Sequence, residues 1–98
     1  MRERKMMKQV ELDYLITFQK THSMIKGEML LREGNILART MPLPTELGDS
    51  CGFCLRLKED DVEQSLKILQ EAEVEMSNLY KIDESGSPKK YVLIKEFE

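Results

Sequence analysis

Leu12, Tyr14, Ile16 and Phe18 alternate with Asp13, Leu15 and Thr17, a period of two in strand-forming residues that predicts a first strand. Thr21 and Ser23 are candidate N-caps of a helix that runs to Gly34 and Asn35, residues suited to stopping it. Met24, Gly27 and Leu31 form its inner stripe, with Glu28 lying among them. Ile36 to Met41 predicts a second short strand, halted by Pro42 and Pro44, which have no backbone N–H to give a ladder. Phe53, Leu55 and Leu57 alternate with Cys54 and Arg56, giving a third strand that starts at or just after Cys51. Asp60 or Asp61 is placed to cap a second helix, with Glu63 set for a capping box from Asp60, and Val62, Leu66 and Leu69 supply its buried stripe. Val74 to Ile82 predicts a fourth strand, the segment 84–88 a turn, and Lys90 to Phe97 a fifth strand.

The order β-α-β-β-α-β predicts an α+β fold, a ferredoxin-like two-layer sandwich with an antiparallel sheet, two helices on one face and an extra C-terminal strand. The other face is expected to be open or used for pairing. Right-handed crossovers point strands one and two the same way and put strand three between strands one and four, running opposite. The end of strand one, the start of helix one and the start of strand three then share one edge, which sets Cys51 beside residues 19–22. Residues 10–83 are read as the domain and residues 1–9 as an extension expected to be disordered. Residues 84–98 form a turn and strand arm that could pair with the sheet edge or with a second subunit, so a homodimer is among the expectations.

Ninety-eight residues, 41% of them hydrophobic, suit one small core. A net charge of −3 argues against a general nucleic-acid binder, which needs an excess of Lys and Arg on one face. No apolar run is long enough for a signal peptide or a membrane span, so a cytoplasmic protein with no membrane partner is expected. Two cysteines in such a chain are read as reduced thiols. No cofactor is called for, and two thiols with one distant histidine fall short of a closed zinc site. Phosphate-loop, H-E-x-x-H and G-x-S-x-G patterns do not occur.

The chemistry concentrates between Pro42 and Cys54, a stretch that holds both cysteines and two of the three prolines. Pro42 and Pro44 stiffen the path of the loop, and Gly52 leaves the surroundings of the Cys51 thiol open. Facing the N-terminus of helix one at Thr21, that thiol gains from the positive dipole end, which favours the thiolate. His22, the one histidine, stands in the first turn as a candidate thiolate partner. Cys54 is a candidate resolving thiol, yet positions three apart in a strand lie about 10 Å apart and point to opposite faces. A disulfide needs Cα atoms within about 7 Å, so the pair can close only where Cys51 and Gly52 curl back.

The run Tyr14 to Phe18, then Thr21 and His22, Glu28 and Leu31, Pro42 to Pro44, and Cys51 with Gly52 resembles a family of small bacterial domains of unknown function labelled selenium or sulfur carrier-like. The resemblance covers roughly residues 12–82. It implies that Cys51 accepts sulfur or selenium as a persulfide or selenyl sulfide from a donor such as a cysteine desulfurase, and passes it to an acceptor protein. The chain departs from the family pattern at Thr45, where a basic residue is common, and at Cys54, where a small apolar residue is common. Two other readings stay open: an oligomeric regulatory or interaction module without thiol chemistry, and a dithiol redox protein using Cys51 and Cys54.

Overall fold

The computed structural model describes residues 12–48, 52–86 and 88–97. The expectation for residues 1–9 therefore lies outside the described residues. In order, the elements are β1 (Tyr14–Thr17), α1 (Thr21–Glu33), β2 (Arg39–Pro42), a 3-10 turn (Thr45–Leu47), β3 (Phe53–Leu57), α2 (Glu59–Glu71), β4 (Asn78–Asp83) and β5 (Lys90–Glu96). The strands form one sheet in the order β2-β3-β1-β4-β5, and every neighbouring pair is antiparallel.

This order corrects the sequence expectation at one point. β1, not β3, has β4 as its neighbour: β1 lies between β3 and β4, and β3 lies between β2 and β1. The physical reason is the α1 crossover, which leaves room for only one strand between β1 and β2, and the β2–β3 hairpin fills it.

Period-two alternation sorts the side chains onto two faces. Ile16, Leu55, Leu57 and Leu79 face the helices and join Phe18, Met24, Leu31 and Leu69 in the main core. Burying each of these large side chains is worth roughly 1.5–3 kcal/mol. The helices meet at Gly27, where a Cβ would lie 3.4 Å from Leu69, in ordinary contact. Leu69 is buried while Val62 and Leu66 are only partly so, which is the stripe expected for α2.

Both helices begin earlier and end more formally than the sequence suggests. Lys20 and Lys58, extended in backbone and without side-chain caps, are the N-cap residues, so Thr21 lies inside α1 and Asp60 and Asp61 lie inside α2. Burial of Ser23 and Leu69 fixes each helix's position more strongly than a cap worth about 1 kcal/mol. At the C-termini, Ile36 N–H bonds to Leu31 O (2.9 Å) and Asn35 N–H to Arg32 O (2.9 Å). Val74 N–H and Glu73 N–H repeat the pattern at Leu69 O (2.9 Å) and Gln70 O (3.0 Å). Asn35 (φ 62°) and Glu73 (φ 60°) take the left-handed conformation this terminator requires.

The face away from the helices is not open. Leu15, Cys54 and Ile82 are buried there under Met41, Leu43, Leu47, Tyr80 and Tyr91. Leu43 and Leu47 come from the connection between β2 and β3, so that loop folds back over the sheet.

Candidate functional site: the loop between β2 and β3

Register fixes which end of the molecule this loop occupies. Thr17, the last residue of β1, stands opposite Cys54 and Asn78, so the start of β3, the start of β4 and the entry to α1 share one end of the sheet. The sequence expectation for that shared edge is met for the described residues. The loop itself is closed at its base by Leu43 N–H donating to Gly52 O at 3.0 Å, directly beyond the paired Pro42 and Phe53. Leu47 N–H donates to Pro44 O at 3.0 Å and sets the single 3-10 turn. With Leu43 and Leu47 seated on the apolar face, the first half of the loop is anchored by both hydrogen bonds and burial.

Cys51, together with residues 49 and 50, lies outside the described residues. Its neighbours Gly48 (φ 71°) and Gly52 (φ 85°) are exposed and both occupy the positive-φ region, where an L side chain is strained. Pro42 is exposed and Pro44 half-buried. Phe53, at the first position of β3, leaves its ring substantially exposed.

Cys54 is 0% exposed among Leu15, Ile82 and the loop leucines, with Sγ 4.0 Å from Pro42 O. A thiol in such surroundings is ordinarily inert. Next to it Thr17 is also fully buried, and its Oγ1 accepts the Asn78 N–H at 3.1 Å. This satisfies a buried hydroxyl and locks β1 to β4 at the same end.

Thr21 and His22 are exposed in the first turn of α1. That turn holds no acidic residue, and Lys20 forms an exposed ion pair with Glu75 at 3.7 Å. The N-terminus of α2, at the other end of the sheet, carries Glu59, Asp60 and Asp61. Carboxylates in the first turn therefore offset the positive helix end of α2, while the first turn of α1, at the end bearing the loop, carries none. Glu28, whose place in the inner stripe raised the question of a buried carboxylate, is half-buried at the helix edge and pairs with Arg32 one turn on.

Sequence reasoning passed over Leu43 and Leu47 as functional residues, although they hold the loop in place. Their signal was a pair of leucines flanking Pro44 in an otherwise polar loop, which an exposed loop would not need. Among the described residues, no group of three or more His, Cys, Asp and Glu is placed to hold a metal ion, and no helix is long and apolar enough to cross a membrane.

The assembly is an α+β domain of two helices and a five-stranded antiparallel sheet, with one cysteine-bearing loop clamped across the sheet end. The chain belongs to the family described as Putative Se/S carrier protein-like, which it matches over residues 13–81. No curated protein and no solved structure matches it.

Proposed function

We propose that the domain is a sulfur or selenium carrier of ferredoxin-like topology, cytoplasmic, with Cys51 as the transfer thiol. The observation that carries the reading is that the family match spans a loop whose base is fixed, by Leu43 N–H to Gly52 O and by the half-buried Leu43 and Leu47, while Gly48 and Gly52 on either side of Cys51 stay exposed. A carrier must offer its thiol to two partner proteins in turn, which suits an exposed loop on a rigid scaffold better than an enclosed pocket. The element order β-α-β-β-α-β and the strand run β2-β3-β1-β4 support the ferredoxin-like assignment, with β5 added beyond β4.

In the proposed step the Cys51 thiolate attacks the outer sulfur of a donor persulfide, such as that of a cysteine desulfurase. A new S–S bond forms to Cys51 as the donor's S–S bond breaks, and the donor cysteine leaves as a thiolate, so no outside oxidant is needed. An acceptor protein takes the atom by the same exchange. In this reading the α1 N-terminus favours the thiolate electrostatically, and His22 accepts the proton of a Cys51 thiol that meets the donor still protonated. Cys54, buried on the sheet face, has no role in transfer under this reading.

Incubation with a cysteine desulfurase and cysteine, followed by peptide mass spectrometry, tests the proposal. A gain of about 32 Da on the Cys51 peptide is expected, absent in Cys51→Ser and retained in Cys54→Ala. A loss of about 2 Da spanning both cysteines would replace the carrier with a dithiol redox protein, and an unchanged mass would refute thiol transfer altogether.

A further inference from the structure

Large apolar side chains stay exposed in two regions of the described surface. One is β5, with Val92, Leu93 and Ile94 at the outer edge of the sheet. The other surrounds α1: Ile25 and Met29 are 52% and 47% exposed on the helix, Leu37 is exposed in the connection to β2, and Phe53 is 43% exposed at the start of β3. Single exposed apolar residues are ordinary, whereas several together beside a reactive group mark a contact surface.

Helix rotation and strand alternation put Ile25, Met29 and Phe53 on one side of the molecule. A Cβ at Gly27 would lie 3.4 Å from Leu69 and one at Gly34 3.2 Å from Ile68, so that side of α1 faces α2. Ile25 and Met29 stand two residues either way from Gly27, about 200° round the helix, and so on the side turned away from α2. α1 packs over β3, and the strand order continues from β3 to β2 on that side. Phe53 has the parity of Leu55 and Leu57, which places its side chain on the helix face of the sheet. Its cross-strand partner Pro42 is exposed, as is Thr40 opposite Leu55, so α1 leaves the β2 flank uncovered. Thr17 stands opposite Cys54, which sets Phe53 at the end of the sheet where α1 begins. β2 ends at Pro42, which has no N–H, so a protein arriving here meets side chains and not a strand edge.

We propose that Phe53, with Ile25 and Met29 of α1, forms the docking surface for the protein that delivers sulfur to Cys51, which seats an apolar side chain of its own there. The inference rests on the carrier reading and names where its donor binds. Contact area supplies the reason. Even a small transient protein contact covers about 600 Å² of each partner, a disc roughly 14 Å in radius. Phe53 follows Cys51 by two residues, which holds their Cα atoms within about 7.6 Å of each other. A disc of that size centred on the thiol therefore covers Phe53 as well. A small persulfide needs only the thiol and gains nothing from a half-exposed ring beside it. In a protein contact, an aromatic anchor near the centre carries a large share of the binding energy.

The test sets a protein donor against a small one. The full chain is loaded either by a cysteine desulfurase with cysteine or by inorganic tetrasulfide, and the rate at which Cys51 gains about 32 Da is followed by peptide mass spectrometry. From tetrasulfide the Cys51 thiolate takes the terminal sulfur as the adjacent S–S bond breaks and trisulfide leaves, so both routes end in the same persulfide. Phe53→Ser and Ile25→Ser should each slow loading from a subsaturating desulfurase about tenfold and leave loading from tetrasulfide within about twofold of the wild type. Val92→Ser, which removes exposed apolar surface from β5 instead, should change neither rate. Ile25 is an exposed helix position, and far-ultraviolet circular dichroism checks that each variant is folded. Variants that match the wild type with the desulfurase, or that slow both donors equally, overturn the docking surface and leave the carrier reading standing. A wild type that loads from tetrasulfide alone does the same. A wild type that loads from neither donor refutes the carrier reading itself. Sedimentation equilibrium should give the mass of one chain, and a dimer that Ile25→Ser dissolves would assign the surface to a second copy and overturn the donor as its occupant.

Discussion

Gly52 tests how far the loop geometry is set by backbone conformation alone. A Cβ built there meets nothing within 4 Å, so steric crowding contributes nothing to the cost of Gly52→Ala. What remains is φ of 85°, and forcing an L residue into this region costs roughly 1–2 kcal/mol. Removing a glycine also narrows the unfolded ensemble and returns about 0.4–1 kcal/mol. The net expectation is a loss of about 0.5–1 kcal/mol, near 2–8 °C in melting temperature for a chain of this size. Gly86 is the internal control, because a Cβ there also meets nothing within 4 Å and its φ is not in the positive region. Gly86→Ala should therefore be neutral or slightly stabilising. Urea unfolding of both variants, with unchanged slope, measures the difference, and persulfide loading of Gly52→Ala should slow because the Gly52 carbonyl that closes the loop on Leu43 is displaced. The reasoning fails if Gly52→Ala costs no more than Gly86→Ala.

Two further outcomes follow from the helix terminator and the β4 end. Glu73→Gly should stabilise by about 1 kcal/mol, since glycine adopts φ 60° without the Cβ penalty, while Asn35→Gly should gain only a few tenths; thermal melts compare the two. The Asp83 carboxyl is held below its ordinary value first by the Ser85 hydroxyl, which donates to Oδ1 at 2.7 Å, and then by the Ser85 N–H at 3.0 Å. A folded pKa below the unfolded one means that this contribution is present above the unfolded pKa and lost as pH falls through the folded value. Ser85→Ala should raise the Asp83 midpoint toward the ordinary carboxylate value in a carboxyl-carbon NMR titration, and an unmoved midpoint would contradict the hydroxyl as the main cause.

Strong periodicity made most of the elements legible. Ile16, Leu55, Leu57 and Leu69 sit where alternation or the helical stripe put them, because a one-residue slip would expose all of them at once. Boundaries were less legible: Val74 and Met76 read as strand but are buried in the approach to β4, Val74 with its N–H bonded back to Leu69 O at the end of α2. The caps misled for a related reason, since Thr21, Asp60 and Asp61 suit a cap but are carried into the first turns by packing further along each helix. At the candidate site the sequence singled out the loop and set Cys54 apart from Cys51 along the strand, but the burial of Cys54 came only with the fold. The sequence did not disclose the second apolar cluster, because Leu15, Ile82 and Tyr91 come from strands far apart in the chain and only strand order brings them together.

β3 passes from an exposed Gly52 through an exposed Phe53 to a fully buried Cys54 in successive residues, and from there on it has a strand on either side. Local opening of the loop can therefore stop at that boundary, which separates two timescales on one short segment. Amide hydrogen exchange should fall steeply between Gly52 and Leu55, with the inner amides released only by global unfolding. A loop insulated in this way can rearrange around a docking protein repeatedly without spending any of the stability stored in the core.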